Sequence, residues 1–203
     1  MTGRILSLLI GCLFGNFQSS YIFVKAAKGI DIRTVGSHNA GTMNTTVSQG
    51  VGLGAVTFLA DVLKTVLASL VCLWHFGDEG RELILSYTCL GVALGHEFPF
   101  WLGFRGGKGV AVALAFLIMF DYRLLILSVV LSLGVMLILR RLWLGSAAIA
   151  VMMSVGAFCL YPAEIGIVVS LQGTLIILLH IVALPGVKIS QKKIKKFKKG
   201  VDK

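Results

Sequence analysis

Seven long apolar runs follow one another along the chain, separated by short polar connections. They cover residues 5–24, 52–74, 82–98, 109–121, 123–140, 142–161 and 164–184. A helix needs about 20 apolar residues to cross a bilayer, and only helices or closed barrels satisfy their own backbone hydrogen bonds in lipid. The runs lack the period-two alternation of barrel strands. The pattern therefore predicts an all-α integral membrane protein with about seven transmembrane helices, the third and fourth being the weakest because glycine and polar residues interrupt them.

The composition supports a single membrane domain. Hydrophobic residues make up 57% of the 203 residues and charged residues only 14%, whereas soluble domains have about 25% charged residues. We predict a polytopic domain over residues 1–187, followed by a basic cytoplasmic tail over residues 188–203. The first run also resembles a signal peptide, but no small-residue cleavage site follows it, which favours a retained first span.

Positive charge is concentrated at the end of the chain. The net charge is +10, and eight of the nineteen Lys and Arg residues lie in the last sixteen positions, KISQKKIKKFKKGVDK. The other cations are spread through short connections and form no basic face interleaved with aromatic residues, which argues against nucleic acid as a partner. A lysine-rich tail is attracted to anionic lipid headgroups by about 1 kcal/mol per charge. Membrane lipid is therefore its predicted partner.

The charges also predict the orientation of the helices. One set of alternate connections carries fifteen Lys and Arg residues and the other carries three, with Lys64 counted in neither. The richer set comprises Lys25, Lys28, Arg33, Arg105, Lys108, Arg140, Arg141 and the eight tail lysines, and the poorer set comprises Arg4, Arg81 and Arg123. Because cationic loops stay in the cytoplasm, we predict a cytoplasmic C-terminus and an external N-terminus. The loops at 25–51 and 105–109 would then share the cytoplasmic face.

The first connection is unusually polar for this chain. Residues 29–46 read GIDIRTVGSHNAGTMNTT. Glycines let backbone N–H groups turn toward an anion, and serine, asparagine and threonine supply neutral hydrogen-bonding groups. An ordinary turn uses the same residue types, so this loop alone leaves both interpretations open.

A second glycine-rich loop, FRGGKG, occupies residues 104–109. Three glycines surround Lys108 and offer backbone donors beside a point charge, a combination that suits a phosphate. The loop is not a Walker A sequence, because Leu102 and Gly109 stand where that pattern needs glycine and Ser or Thr. Two cations between spans are also ordinary topology signals. Because the charges predict that both loops lie on one membrane face, the pair of loops favours an anion site.

Single polar residues within the runs have alternative explanations. Asp61 and Lys64 are one helical turn apart and can pair. Charges inside a span mark a functional site by default, although a neutralised pair that only assists packing is the alternative. A lone His96 is more typical of an interfacial residue than of a base or ligand, and His75 and His180 are assigned no role. No two of the four cysteines have metal-ligand spacing, so no metal site is predicted.

Two long motifs resemble the signature sequences of a known family. They are GIDIRTVGSHNAGTMN at residues 29–44 and GHEFPFWLGFRGGKGVA at residues 95–111, and DVLK at 61–64 is similar to the family's second-span pattern. The family is PlsY, the bacterial integral-membrane acyl-phosphate:glycerol-3-phosphate acyltransferases. The resemblance covers most of the chain and implies transfer of a fatty acyl group from acyl phosphate to the 1-hydroxyl of glycerol-3-phosphate, without coenzyme A. It further implies seven spans, no cofactor and a place in the bacterial cell membrane, and it allows association with other phospholipid-synthesis enzymes.

The motif match implies roles for individual residues. Ser37, Asn39 and Asn44 would orient the substrates and, with Lys108, form the predicted catalytic set. The predicted substrate-binding set is Arg33, Gly36, Gly41, His96, Arg105, Gly106, Gly107 and Gly109. Within it, Arg105 and the loop amides would hold phosphate beside Lys108, while His96 would support the loop. Arg105 stands where the family more often has lysine, which keeps the charge.

Two departures from the family pattern bear on activity. Val47 stands where an arginine usually follows the first motif, and valine cannot contact a phosphate. The family's third motif resembles HRxNIxRLxxGxE. In an alignment over residues 190–202, Ser190, Lys193 and Asp202 stand at its His, Asn and Glu positions. The alternatives are therefore a divergent paralogue acting on another phosphate-bearing molecule, or a non-catalytic protein that binds an anionic lipid or a partner enzyme.

Overall fold

The computed structural model describes residues 1–183, which form α-helices, short 3₁₀ turns and loops. The helices are α1 (Thr2–Gly15), α2 (Ser19–Lys28), α3 (Thr42–Gln49), α4 (Val51–Phe76), α5 (Arg81–Glu97), α6 (Val110–Phe120), α7 (Tyr122–Leu139), α8 (Leu142–Leu160) and α9 (Ala163–Val182). The 3₁₀ turns are Ile32–Thr34, Gly77–Glu79 and Phe100–Leu102. The predicted basic tail at 188–203 lies outside the described residues, and so do Ser190, Lys193 and Asp202.

The predicted all-α membrane fold is confirmed, but the spans are not equal in length. In residues 1–183, six helical segments are long and apolar enough to cross a membrane. The fourth predicted span, at 109–121, corresponds to α6, which has only eleven residues. At a rise of 1.5 Å per residue such a helix spans about 17 Å, roughly half of a 30 Å hydrocarbon core. The seven predicted spans are therefore six full-length segments and one half-length apolar helix.

The first predicted run is two helices rather than one. Residues Asn16–Gln18 separate α1 from α2. The buried Gln18 side chain donates from Nε2 to the carbonyl oxygens of Gly15, Gly95 and His96, at 3.2, 3.3 and 3.0 Å. A helix end leaves its last carbonyl groups without an intrahelical partner. The glutamine amide supplies a donor there, which stabilises the break inside an apolar environment.

Four glycines let α1 and α5 approach each other backbone to backbone. They are Gly11, Gly15, Gly91 and Gly95. A Cβ at Gly15, for example, would lie 2.9 Å from the amide nitrogen of His96. Small residues four positions apart are a common means of close helix packing in membranes. The crossing holds the end of α5, where His96 lies, against the break between α1 and α2.

The half-length helix α6 lies within the protein core. Its buried side chains include Val112, Phe116 and Phe120. The largest core cluster joins them to apolar residues of α4, α5, α7, α8 and α9. Non-helical backbone at membrane depth is tolerated only where protein or a cavity surrounds it. The helices packed around α6 would surround the loop before it in this way.

The connections sort into two ends of the helix bundle. At one end the N-terminal ammonium group lies 3.1 Å from Glu79, and Arg4 lies 2.7 Å from Glu164. The connections around residues 29–50 and 103–109 meet at the other end, where α2 and α5 finish. The two glycine-rich loops therefore share one end of the bundle, as their charges predict.

Candidate active site

The two glycine-rich loops are bonded to each other. The backbone N–H of Ala40 donates to the carbonyl oxygen of Gly106 at 3.3 Å. The guanidinium of Arg33 donates to the carbonyl oxygen of Leu102 at 2.7 Å. Two motifs that lie far apart in the sequence therefore form one structural unit.

Asn44 organises the first loop. Its Nδ2 donates to the carbonyl oxygens of Ile32, Val35 and Asn39, at 3.1, 3.1 and 2.9 Å. Its Oδ1 accepts a hydrogen bond from the backbone N–H of Ser37 at 2.8 Å. Short amide side chains commonly bond nearby backbone groups in turns. The Asn44 amide is committed in this way to the backbone of its own loop.

The second loop is held over the end of α5. The N–H groups of Gly106 and Gly107 donate to the carbonyl oxygens of Glu97 and His96, each at 3.0 Å. Gly107 has no room for a side chain, because a Cβ there would lie 2.6 Å from Cε1 of His96. Gly109 has a φ of +74°, a left-handed conformation that favours glycine. These glycines let the loop backbone pass directly over the His96 ring.

A cavity of about 420 Å³ lies beside the joined loops. The loops, α4, α5 and α9 provide its polar lining, which comprises Ser37, Asn39, Gly41, Thr42, Asn44, Asp61, His96, Lys108, Gly109 and His180. Helices α6, α7 and α8 provide a mostly apolar lining of Val110, Ala111, Leu114, Ser132, Met136, Leu142, Trp143, Ser146 and Ile149, to which Met43 and Phe58 add. Such a cavity suits a molecule with a polar head and an apolar chain.

Two helices begin at this cavity. The first turns of α3 and α6 both line it. The first N–H groups of a helix have no intrahelical acceptor, and a helix N-terminus carries roughly half a positive charge. The two N-termini and Lys108 at one cavity therefore provide an environment suited to an anion.

Thr42, in the first turn of α3, is a cavity residue that the sequence did not single out. Its Oγ1 is buried and has no hydrogen-bond partner among residues 1–183. In the sequence it is one of three threonines within five positions, and only its place as the first residue of α3 distinguishes it. The orphaned hydroxyl is available to a ligand in the cavity.

Seven of the predicted site residues line the cavity, namely Ser37, Asn39, Gly41, Asn44, His96, Lys108 and Gly109. The other five do not, namely Arg33, Gly36, Arg105, Gly106 and Gly107. Arg105 is exposed. Gly36 has a φ of +58° and packs against Asn44, while Gly106 and Gly107 shape the second loop. These glycines contribute to the geometry of the loops rather than to the cavity wall.

Arg33 is committed to partners away from the cavity. Its guanidinium lies 2.8 Å from the Asp31 carboxylate and 5.2 Å from the centre of the Tyr21 ring. The side-chain hydrogen bonds from Arg33 lower the pKa of the Asp31 carboxyl. Together with the bond to Leu102, these contacts make Arg33 a link between the loops, where the sequence predicted a substrate contact.

Val47 and His180 differ in where they lie relative to the cavity. Val47 lies on α3 with 77% of its surface exposed, and it does not line the cavity. His180 does line it, from the last turn of α9, and its Nδ1 donates to the carbonyl oxygen of Ile176 at 2.8 Å. The sequence assigned His180 no role, and only the packing of α9 shows that it lies at the cavity.

Asp61 and Lys64 form the ion pair that their spacing predicts, with Lys64 Nζ 2.7 Å from Asp61 Oδ1. Both side chains are buried, and Asp61 also lines the cavity. Among residues 1–183, no group of three or more His, Cys, Asp or Glu side chains could hold a metal ion.

Comparison with known proteins identifies the family. The family model for glycerol-3-phosphate acyltransferase matches residues 5–187. The glycerol-3-phosphate acyltransferase of Mesorhizobium japonicum is 33% identical over 178 residues, covering 88% of this chain and 89% of its own. That of Clostridioides difficile is 38% identical over 144 residues, covering 70% and 71%. The crystal structure of PlsY, an integral membrane glycerol 3-phosphate acyltransferase, in its glycerol 3-phosphate form superimposes with a TM-score of 0.78 at 28% identity, covering 97% of this chain and 92% of that one. The chain is an integral membrane protein of the glycerol-3-phosphate acyltransferase family.

Proposed function

We propose that this protein transfers a fatty acyl group from an acyl phosphate to the 1-hydroxyl of glycerol-3-phosphate, releasing lysophosphatidate and inorganic phosphate. Acyl transfer to glycerol-3-phosphate is the activity of the family. The observation that carries the finer proposal is the meeting of two helix N-termini and Lys108 at a cavity whose wall along α6, α7 and α8 is mostly apolar. Both substrates bring a phosphate, and one of them also brings a long apolar chain.

The polar lining would bind the phosphate groups. Backbone N–H groups at the starts of α3 and α6 are directed donors, and Lys108 adds a full charge. The Thr42 hydroxyl supplies a further donor that the protein itself leaves unused. Asn44 is committed to its loop, so its role is to shape the site, whereas Ser37 and Asn39 line the cavity and would contact the substrates.

The apolar lining would receive the acyl chain. Leu114, Met136 and Ile149 come from three different helices and face the same cavity. Each buried CH₂ contributes about 0.8 kcal/mol to binding. This contribution favours an acyl phosphate as the group donor, because its small head fits the anion site while its chain is buried beside α6, α7 and α8.

The reaction needs positioning and electrostatic stabilisation more than covalent help from the protein. The 1-hydroxyl oxygen attacks the acyl carbon, the bond from that carbon to the phosphate oxygen breaks, and phosphate leaves with its electron pair. The hydroxyl proton leaves with the phosphate. Helix N-termini and Lys108 would stabilise the negative charge that develops, which is commonly the largest contribution in such sites.

We place the protein in a bacterial cell membrane with the cavity loops on the cytoplasmic side. The cation-rich connections include both loops of the site and the Arg140–Arg141 turn, whose neighbours Leu142 and Trp143 line the same cavity. Cytoplasmic loops retain Lys and Arg. Glycerol-3-phosphate would then enter from the cytoplasm.

The direct test is an acyl transfer assay on the purified protein. Palmitoyl phosphate and labelled glycerol-3-phosphate should yield labelled lysophosphatidate, and the yield should persist in EDTA. Ser37→Ala should lower the rate about 10²-fold, the usual cost of removing one oriented donor. Ser154→Ala is the matched control, because among residues 1–183 the Ser154 hydroxyl bonds only to Ala150 of its own helix and does not line the cavity.

Val47→Arg tests the departure from the family pattern in the same assay. Product from the wild type would show that the missing arginine is dispensable. Product from Val47→Arg alone would identify a transferase disabled at that position. Absence of product from both, in protein that is folded and monodisperse, would refute the proposed reaction.

A further inference from the structure

A buried ionic cluster lies at the end of α5, and two of its members, Asp61 and His96, also line the cavity. Lys64 Nζ lies 2.7 Å from Asp61 Oδ1 and donates to the carbonyl oxygen of Phe17 at 2.8 Å. The Ser19 hydroxyl donates to the same Asp61 oxygen at 2.7 Å. Only 5% of Lys64 and 1% of Asp61 is exposed. Burying two charges is costly, and the reaction proposed above leaves this pair without a task.

The third member of the cluster is the imidazole of His96. Lys64 Nζ lies 2.9 Å from His96 Nδ1, at hydrogen-bond distance. An ammonium group has three donors and no acceptor. Nδ1 must therefore accept this bond with its lone pair, and the ring proton must be on Nε2.

The charge balance of the cluster supports the same tautomer. In water a lysine amine holds its proton roughly 10⁴ times more tightly than an imidazole. Asp61 is the one carboxylate in the cluster, so Lys64 takes its charge and leaves His96 neutral. A second proton on His96 would place two cations beside a single buried carboxylate.

The other edge of the His96 ring lies against the second loop, next to the cavity. His96 lines the cavity beside Lys108 and Gly109, and its Nε2 is the atom nearest to a side chain built at Gly107. No residue among 1–183 accepts a hydrogen bond from His96 Nε2. The His96 backbone is fixed as well, because its carbonyl oxygen accepts hydrogen bonds from Gly107 N and from Gln18 Nε2, each at 3.0 Å.

From this geometry we propose that neutral His96 donates a hydrogen bond through Nε2–H to a phosphate oxygen of the substrate held at the Lys108 loop. The Asp61–Lys64 pair is then a positioning pair that keeps the ring in this tautomer. The inference rests on the proposed function for the identity of the ligand. It excludes His96 as the base for the 1-hydroxyl. A bare Nε2 would require a proton on Nδ1, and two donors, Nδ1–H and the Lys64 ammonium, would then face each other.

Two amide substitutions distinguish a donor from a base. Glutamine in place of His96 puts an N–H group near the position of Nε2 but cannot act as a base, and asparagine reaches only as far as Nδ1. His96→Gln should therefore keep kcat/KM within about tenfold of the wild type, whereas His96→Asn should lose 10²-fold or more. Equal, deep losses in both folded variants would overturn the donor role.

A double-mutant cycle tests the positioning pair. Asp61→Asn with Lys64→Met removes both charges at once and so leaves no uncompensated buried ion. We expect this pair of substitutions to lower kcat at least tenfold in the wild type, yet to cost less than about threefold in the His96→Gln background, because an amide has no tautomer to control. Full additivity of the two effects would mean that the pair does not act through His96.

The protonation of the ring can be measured without any activity. In protein labelled with ¹⁵N-histidine, the resonances lost in His96→Gln should report a protonated Nε2 and a bare Nδ1. Titration with inorganic phosphate should shift the Nε2 resonance. A proton on Nδ1, a doubly protonated ring, or no response to phosphate would refute the proposal, even if the wild type were an active transferase. Conversely, the expected spectra with no lysophosphatidate formed would refute the proposed reaction and leave the assignment of His96 standing.

Discussion

The substitution Gly107→Ala adds one methyl group at the closest approach between the second loop and His96. The methyl carbon would lie 2.6 Å from Cε1 of His96 and closer still to Nε2, whereas ordinary contact begins at 3.4 Å, so the loop and the ring must separate by more than 0.8 Å. Neither can move freely. The ring is held by Lys64, and the loop is held by hydrogen bonds from Gly106 and Gly107 to the end of α5.

The expected loss follows from the size of this displacement. A misplacement of about 1 Å commonly costs 10²-fold in rate, and at 1.4 kcal/mol per factor of ten this is roughly 3 kcal/mol of transition-state stabilisation. The loss should fall mainly on kcat, since the helix N-termini and Lys108 would still attract phosphate. Because Gly107 is buried, the same overpacking should also lower the free energy of unfolding, by about 1–3 kcal/mol.

Initial rates with palmitoyl phosphate and labelled glycerol-3-phosphate would measure the effect. Gly52→Ala is the matched control, since a Cβ there meets nothing within 4 Å and the residue is helical. We expect wild-type rates from the control. Gly107→Ala with kcat within threefold of the wild type would contradict the argument that the loop must lie directly on the His96 ring.

Three further predictions address other parts of the site. Thr42→Val keeps the shape of the side chain and removes the orphaned hydroxyl. The KM for one phosphate substrate should therefore rise about tenfold, the cost of losing a hydrogen bond to a charged group. An unchanged KM for both substrates would exclude the contact. Met136→Ala enlarges the apolar lining, so the ratio of stearoyl to palmitoyl phosphate turnover should rise by up to about tenfold, at 0.8 kcal/mol per CH₂; an unchanged ratio would place the chain elsewhere. Hydrogen bonds from Arg33 lower the pKa of Asp31, so this pair stabilises the fold fully above about pH 4 and loses its effect as the pH falls through the lowered value. Asp31→Asn should therefore cost about 1 kcal/mol of unfolding free energy at pH 7 and progressively less below pH 4, as urea unfolding would show, whereas a constant cost across that range would contradict the ion pair.

The apolar pattern predicted the helices well because burial in lipid or protein demands apolar side chains along the whole length of a run. It could not predict the break at Asn16–Gln18. The break depends on hydrogen bonds from Gln18 to the end of α5, which is remote in sequence. Hydropathy likewise shows that α6 is apolar but not that the neighbouring helices bury it.

The motifs predicted that two loops form the site. The structure joins these loops by a hydrogen bond between Ala40 and Gly106, while their part in the reaction stays a prediction. They could not separate residues that line the cavity from residues that shape the loops, because both kinds are polar or small. Arg33 and Thr42 show the limit in opposite directions. The Arg33 guanidinium is paired with its neighbour Asp31 and is therefore not a cavity residue. Thr42, in contrast, lies at the cavity because α3 starts there, and its hydroxyl has no partner among residues 1–183.

The short length of α6 also has a consequence for how the protein is made. Eleven apolar residues between Lys108 and Asp121 are too few to be recognised and inserted as an independent membrane segment. The buried faces of α6 pack against α4 and α5, which are synthesised earlier, and against α7 and α8, which are synthesised later. Its final position therefore becomes stable only after α8 has joined the bundle. The start of α6, which lines the cavity, is set in the same step, so the cavity is completed late in biogenesis.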